Sequence, residues 1–508
     1  MRFADLAATT EAVRATGGRR EKVERLAEAL RALAPAEVAA GSRFLAGEPG
    51  GRVLGVGWAA LRERPPAAPE PELTVADVDA ALGRLAALSG PGSQAARRAE
   101  LGALLGRATA SEQAYLVALI LGDLRQGALA AVVADAVARA AGVPPADVRR
   151  ALMLRGDLGA VAEAALHGGA GALAAFRLEV GRPLQPMLAQ TAPDVAAALE
   201  RTGPAAVEWK LDGARVQVHR DGDDVAVFTR NLDEVTSRLP EVVEAARALG
   251  ARAAVLDGEA IALRPDGRPQ PFQVTGSRFA SRRNVEELRR AVPLTPMLFD
   301  VLHLDGDDLL DRPGTERAAA LDALVPPEAR VPRVVADDAA TGEATLAGAL
   351  ARGHEGVVVK ALAAPYEAGR RGAAWVKVKP VHTLDLVVLA AEWGHGRRRG
   401  WLSNLHLGAR ADGGFVMLGK TFKGLTDAML TWQTEALLAL EVAREGHVVH
   451  VRPELVVEIA FDGIQASPRY PGGVALRFAR VLRHRPDKPA AEADTLEAVL
   501  AVGPSAGG

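Results

Sequence analysis

The spacing of apolar residues changes once along this chain, near Val180, and the change excludes a single uniform fold. Before it, apolar residues recur every three or four positions, as in SEQAYLVALILGDLRQGALAAVVADAVARAA. That period predicts a bundle of amphipathic helices over residues 1–180. After GRPLQPMLAQ the alternation is every second residue. VEWKLDGARVQVHRDGDDVAVFTRN reads as a hairpin of two strands about DGDD, and AAVLDGEAIAL, PMLFDVLHLDG, GVVVKAL and AWVKVKP read as further strands. Helical stretches such as DEVTSRLPEVVEAARAL lie between them, so residues 181–385 are expected to form a mixed α/β domain. Residues 386–508 alternate in shorter runs (LDLVVLAAEWG, LSNLHLGAR, GGFVMLGKTF, LVVEIAFDGI) around one helix at TDAMLTWQTEALLALE, the pattern of a small five-stranded barrel.

Composition narrows the function classes. The chain has 508 residues and a formal net charge of −2, so any affinity for nucleic acid must come from clustered cations, not from global basicity. With no cysteine it has neither disulfides nor thiol nucleophiles nor Cys-ligated zinc, which suits a reducing compartment. The start, MRFADLAATTEAVRATGG, carries no apolar signal core, and no apolar run reaches spanning length. A soluble, cytoplasmic protein is expected. In the helical part, Phe44–Leu61 and Leu119–Val137 weakly echo each other, each placing Gly and Arg in a turn between apolar helices. Such turns can face a phosphate, although ordinary helix caps look the same.

The informative segment is Glu208-Trp209-Lys210-Leu211-Asp212-Gly213-Ala214-Arg215. It gathers an amine, a carboxylate and a guanidinium where a strand ends. A lysine attacks phosphorus only when neutral, and neighbouring cations or a bound metal would lower its pKa toward that state. Farther on, TRN carries Arg230, LDGE carries Glu259, MLFD carries Phe299 and Asp300, and HEGVVVK carries Glu355 and Lys360. In AWVKVK, Lys377 and Lys379 alternate, so both ammonium groups face one side of a sheet. The segment LRFARVLRHRPDKPA interleaves Arg477, Arg480, Arg483, Arg485 and Lys488 with apolar residues.

Lys-x-Asp-Gly-x-Arg, followed by these motifs in order, resembles the lysyl-adenylating nucleotidyltransferases: ATP-dependent DNA ligases, RNA ligases and mRNA capping enzymes. The helical block before the motifs is typical of stand-alone bacterial or archaeal DNA ligases that encircle duplex DNA, and it favours DNA over RNA. NAD-dependent ligases carry a four-cysteine zinc module, which a chain without cysteine cannot build. The resemblance implies a helical DNA-binding bundle, an adenylyltransferase domain with an ATP-grasp-like mixed sheet, and a C-terminal OB-fold barrel. It implies nick sealing with ATP and Mg²⁺ on duplex DNA through a lysyl-AMP at Lys210, by a monomer. Glu259 and Glu355 are hard oxygen donors suited to Mg²⁺, with Glu259 alternatively on a ribose hydroxyl. Phe299 would stack on adenine, and Glu208 would accept from its exocyclic amine. Arg215, Arg230, Arg371, Lys377 and Lys379 would surround the phosphates. Arg485 and Lys488, in the family's last motif, would swing over ATP to orient the leaving pyrophosphate.

Two other classes stay open at this point: an RNA-directed ligase or guanylyltransferase, and a non-enzymatic DNA clamp with relic motifs. Intact Lys210, Glu259, Glu355 and Lys377 weigh against the clamp. Gly414–Thr421 also matches the phosphate-loop pattern G-x-x-x-x-G-K-T, but its Phe-Val-Met-Leu core reads as a strand. Lys420 and Lys423 are expected on the barrel surface near DNA, and the basic loop Trp393–Trp401 reads equally as a DNA-backbone contact or a solvated loop.

Overall fold

Ala- and Leu-rich sequence at helical spacing folds as its period requires. In the computed structural model, which describes residues 1–50, 52, 54–62, 64–124 and 130–502, the stretch Met1–Leu184 is one compact unit holding ten α-helices among the described residues. Three of its helices start at a polar side chain that caps them, Thr74, Thr109 and Asp157. Thr109 accepts from the Glu112 amide, and the Glu112 carboxylate accepts from the Thr109 amide at 2.8 Å, opening the helix Ala110–Leu121. Phe3, Phe44 and Tyr115 pack in the core, where the Tyr115 hydroxyl donates to the Phe44 carbonyl at 2.9 Å. Of the two Gly/Arg turns, the first has its cation, Arg52, tied to Asp79 at 2.7 Å. The second, with Arg125 and Gly127, lies outside the described residues.

The second unit, Gln185–Gly508, begins with two five-stranded sheets. The first has the order Gln190–Thr191, Trp375–Val378, Gly356–Ala361, Ala205–Lys210, Arg333–Ala336, with one parallel pair at its edge. The other has the order Asp224–Thr229, Ala214–Asp221, Ala253–Ala262, Leu294–Leu304, Asp307–Asp308. Helices cover one face of each. Val207, Val357, Val359 and Val376 pack with Val195 and Ala198 under the first sheet, and Val218, Leu256 and Val301 pack with Val242 and Leu321 under the second. The remaining faces are free to carry polar side chains.

The expected hairpin over residues 207–231 forms about its DGDD turn, but its first strand is corrected here. Ala205–Lys210 belongs to the first sheet and Ala214–Asp221 to the second; the hairpin is Ala214–Asp221 with Asp224–Thr229. Leu211-Asp212-Gly213 carries the chain across between them. The crossing needs glycine, because a Cβ at Gly213 would lie 2.7 Å from the Ala260 carbonyl oxygen and 2.8 Å from Glu259 Cγ. Lys210 thus ends one sheet at the seam with the next.

The last part is a half-barrel, not the expected five strands: seven strands share one sheet, and Gly463–Ala466 with Val474–Arg477 form a separate ribbon. Its central strand, His382–Trp393, pairs with the half-barrel from His382 onward, so this element starts inside the block the sequence assigned to the mixed domain. The extra strands are Glu441–Glu445, Val448–Val451 and Arg480–His484; charged residues disguise the first and last in the sequence, and the middle one is only four residues long. The expected helix is Asp427–Ala439, capped by Thr426. Gly414–Thr421 is strand throughout, which disposes of a phosphate loop there. Among the described residues no helix is long and apolar enough to cross a membrane.

Candidate active site

Alternation along Ala205–Lys210 sends Val207 into the helix-covered core and leaves Glu208 and Lys210 facing a cavity of about 560 Å³. The cavity gathers most of the residues singled out from sequence: Glu208, Lys210, Arg215 and Arg230, then Glu259, Phe299, Arg371 and Lys377. Trp375 joins them from the strand that carries Lys377. Glu355 follows the loop before Gly356–Ala361 and holds the Lys210 ammonium in an ion pair. The next residue must be glycine, since a Cβ at Gly356 would fall 2.3 Å from the Val378 carbonyl oxygen.

The charge state of Lys210 reverses the expectation of a lowered pKa. Burial alone would push the ammonium down, but Glu355, Glu259 and Asp212 outweigh it and hold Lys210 above the ordinary lysine value. Lys377 is the opposite case: burial, then Lys379, Lys210 and Arg371, hold it below the ordinary value. A cation crowded by cations is one that a polyphosphate would relieve. Burial pushes Glu259 up to about 7 despite Lys210 and Arg215, while its Oε1 accepts from the Gly213 amide at 3.2 Å. Glu355 is also pushed up by burial, yet Lys210, Lys379 and Arg477 hold it below the usual carboxylate range.

Four expected phosphate contacts are occupied otherwise. Arg215 makes a two-pronged pair with the buried Asp257, at 3.0 and 2.6 Å, and donates to the Met187 carbonyl at 2.7 Å and the Tyr366 hydroxyl at 3.3 Å. Its guanidinium is committed to the wall and does not point freely at a ligand. Lys379, just past the end of its strand, pairs with Asp462 and does not line the cavity. Arg485 and Lys488 do not line it either. Both donate to Asp385 Oδ2 at 2.9 Å, and Arg485 also pairs with Asp487 at 2.8 Å, because the half-barrel supplies its own carboxylates to this edge strand. The member of that basic segment which does reach the site is Arg477, 2.9 Å from Asp212 and 4.0 Å from Glu355.

Several site residues had no role in the sequence reading. Trp375 was findable, since it stands two positions before Lys377 on the same face of one strand. Tyr366, which donates to Asp257 at 2.6 Å, lies 109 residues from its partner and left no local signal. Lys360, named with its motif but without a role, is buried and pairs with Glu208 at 2.5 Å.

A buried amine flanked by carboxylates, an aromatic wall and a bank of cations is equipped to take a nucleotidyl group from a nucleoside triphosphate onto lysine. Comparisons with known proteins agree. Residues 186–379 match the ATP dependent DNA ligase domain, 398–488 the ATP dependent DNA ligase C terminal region, and 59–138 the DNA ligase N terminus. A probable DNA ligase of Anaeromyxobacter dehalogenans (strain 2CP-C) is 63% identical over 508 residues, covering 98% of this chain and 99% of the relative. A probable DNA ligase of Mycolicibacterium paratuberculosis (strain ATCC BAA-968 / K-10) is 61% identical, covering 98% and 97%. The solved structure Pmar-Lig_PreS3 superposes with a TM-score of 0.60 at 17% identity, over 94% of this chain and 99% of that one, a likeness of fold. The chain belongs to the ATP-dependent DNA ligase family. It is a ligase that uses ATP to join DNA.

Proposed function

We propose that this chain seals nicks in duplex DNA, with Lys210 as the nucleophile that carries AMP. Lys210 Nζ gives up its proton, forms a bond to the α-phosphorus of ATP, and the bond from that phosphorus to the bridging oxygen breaks to release pyrophosphate. Glu355, already paired with Lys210, is placed to take that proton. A 5′-phosphate oxygen at the nick then attacks the same phosphorus and the N–P bond breaks, returning the amine. Finally the 3′-hydroxyl attacks the 5′-phosphorus, its proton leaves, and AMP departs as the phosphodiester forms. The observation that carries this reading is Lys210, paired with Glu355, on the wall of a cavity that also holds Phe299 and Lys377.

The residues fit Mg²⁺. Among the described residues no three His, Cys, Asp or Glu side chains form a ready-made cage, but Mg²⁺ is commonly held by one or two carboxylates together with substrate phosphates. Glu259, a carboxyl that burial pushes up to about 7 despite Lys210 and Arg215, is the donor such an ion would satisfy, with Glu355 as its partner. Bound there, the ion would supply charge neutralisation at the reacting phosphate. Phe299 stacks the adenine, Glu208 accepts from its amine, and Arg230, Arg371 and Lys377 take the phosphates. Arg215 acts from the wall, through Phe299, whose ring centre lies 5.4 Å from its guanidinium. Arg485 and Lys488 act on pyrophosphate only in an arrangement that breaks their pairs to Asp385, and Lys379 only in one that releases Asp462. Residues 1–180 grip the duplex, 181–385 adenylylate, and 386–508 close, with the last border moved to His382. The chain works as a monomer in the cytoplasm, in keeping with a sequence that has no cysteine.

Incubation with α-labelled ATP followed by nicked duplex DNA tests the reading. Label should appear on protein and then chase into AMP and sealed strand; label that never leaves the protein would contradict it.

A further inference from the structure

Lys360 enters no step above, yet its surroundings are those of a device. Its strand, Gly356–Ala361, pairs directly with Ala205–Lys210, and the Lys360 ammonium reaches Glu208 Oε2 at 2.5 Å. The same ammonium lies 4.3 Å from the ring centre of Phe299 and 4.3 Å from that of Trp375, and it donates to the Phe299 carbonyl at 3.3 Å. Phe299 and Trp375 meet edge to face at 6.0 Å, closing two sides around the ammonium. A lysine so clamped has little freedom, and its charge is directed at one oxygen of one carboxylate. The other oxygen of Glu208 is left for whatever enters the cavity, whose wall Glu208 and Phe299 share.

We propose that Lys360 sets the choice of adenine over 6-oxopurines, by holding Glu208 ionised and oriented toward the edge of the base. The proposal rests on the reading that Glu208 meets the adenine amine. Adenine presents an N–H donor at position 6, which a carboxylate accepts. Hypoxanthine and guanine present a carbonyl there, which a carboxylate repels and a protonated carboxyl would welcome as a donor. The protonation state of one buried side chain therefore decides which base fits. Burial prevails and holds Glu208 above the usual carboxylate range, Asp300 adds to the push, and Lys360 leads the groups that oppose it, ahead of Arg333. Arg333, the cross-strand neighbour of Glu208, is itself engaged with Asp322 at 2.5 Å, and Asp300 is neutralised by Arg317 at 2.8 Å. Lys360 is a positioning residue, since it acts on the base through Glu208.

The test is the ratio of self-labelling with ATP to that with inosine triphosphate, the probe that carries the 6-oxo group without further change at the purine. In wild type ATP should be strongly preferred. Lys360→Met should lower the ratio by about tenfold or more, through weaker labelling with ATP and stronger labelling with inosine triphosphate. Lys360→Arg, which keeps the cation, should retain most of the preference. Glu208→Gln, whose amide can donate to a 6-oxo group, should collapse the ratio by itself. In the Glu208→Gln background Lys360→Met should change the ratio no further, and because that double variant leaves no buried charge unpaired it guards against misfolding of the single one. A parallel fall with both nucleotides, at constant ratio, would make Lys360 merely structural and overturn the proposal while sparing the role of Glu208. A ratio unmoved by Glu208→Gln would overturn both.

Discussion

The cleft around Lys210 and the basic segment from Leu476 to Lys488 are both dense in charge, and they dispose of it differently. In the cleft, charges of both signs are buried together and left imperfectly balanced. Lys210 is held charged by three carboxylates, Glu259 is pushed up to about 7, and Lys377 is crowded by other cations. The basic segment instead places its cations on acids of the half-barrel itself, Arg485 and Lys488 on Asp385 and Arg483 on Glu458. Imbalance is what a site for polyphosphate and metal requires, because the ligand then supplies the missing charge. Balance is what a segment requires if it is to wait until the ligand arrives. Arg477 alone belongs to both regions, through Asp212 and Glu355.

Breaking the cleft should have the largest effect. Lys210→Ala should reduce self-adenylylation by on the order of 10⁴-fold or more, since it removes the nucleophile and leaves the wall standing; gel detection of labelled protein measures this. Next comes Glu259. Its carboxyl rises from the usual 4.5 to about 7, so the folded state holds the proton more tightly than the unfolded chain does. That contribution to stability is complete below about pH 4.5 and is lost as pH rises to 7, on the order of 3 kcal/mol at most. Glu259→Gln should flatten this part of the pH profile in denaturant melts, and Mg²⁺ should recover part of the loss in wild type at pH 7. The basic segment should matter less, and in one step only. Arg485→Ala with Lys488→Ala should slow self-adenylylation by about 10²-fold while sealing of a pre-adenylylated nick persists, because the pyrophosphate they would meet exists only in the first step. Equal loss of both activities would make the segment structural. The smallest effect is expected from Asp385→Asn, which loosens both cations: a few-fold change in the rate of the first step and about 1 kcal/mol of stability, these pairs being partly exposed.

The sequence made the cleft legible and the partners illegible. Period two placed Lys377 and Lys379 on one side of a sheet, of which Lys377 lines the cavity, and most residues named from the motifs do line that one cavity. What it could not convey was which cation answers which acid. Arg215 and Lys377 look equally available in the sequence, yet Asp257 and Tyr366 claim the first, and the second stands among cations. Those partners lie far along the chain and are brought in by sheet pairing, which alternation predicts only up to the identity of the neighbouring strand. The break at Leu211-Asp212-Gly213 was missed for a related reason: alternation continues across the crossing, and only the close approach of Gly213 to Ala260 reveals it. In the half-barrel Glu441–Glu445 was hidden because this exposed strand carries charge where a core strand would carry Val or Leu, and Val448–Val451 because it is only four residues long.

The identity of the nucleophile can be read directly. Wild-type protein labelled with α-labelled ATP, quenched before DNA is added and digested under conditions that keep the phosphoramidate, should carry AMP on the peptide that contains Lys210, and that label should vanish on addition of nicked duplex DNA. AMP found instead on Lys360, Lys377 or Lys420, with the Lys210 peptide unmodified, would contradict the assignment of the cleft as the site of adenylyl transfer.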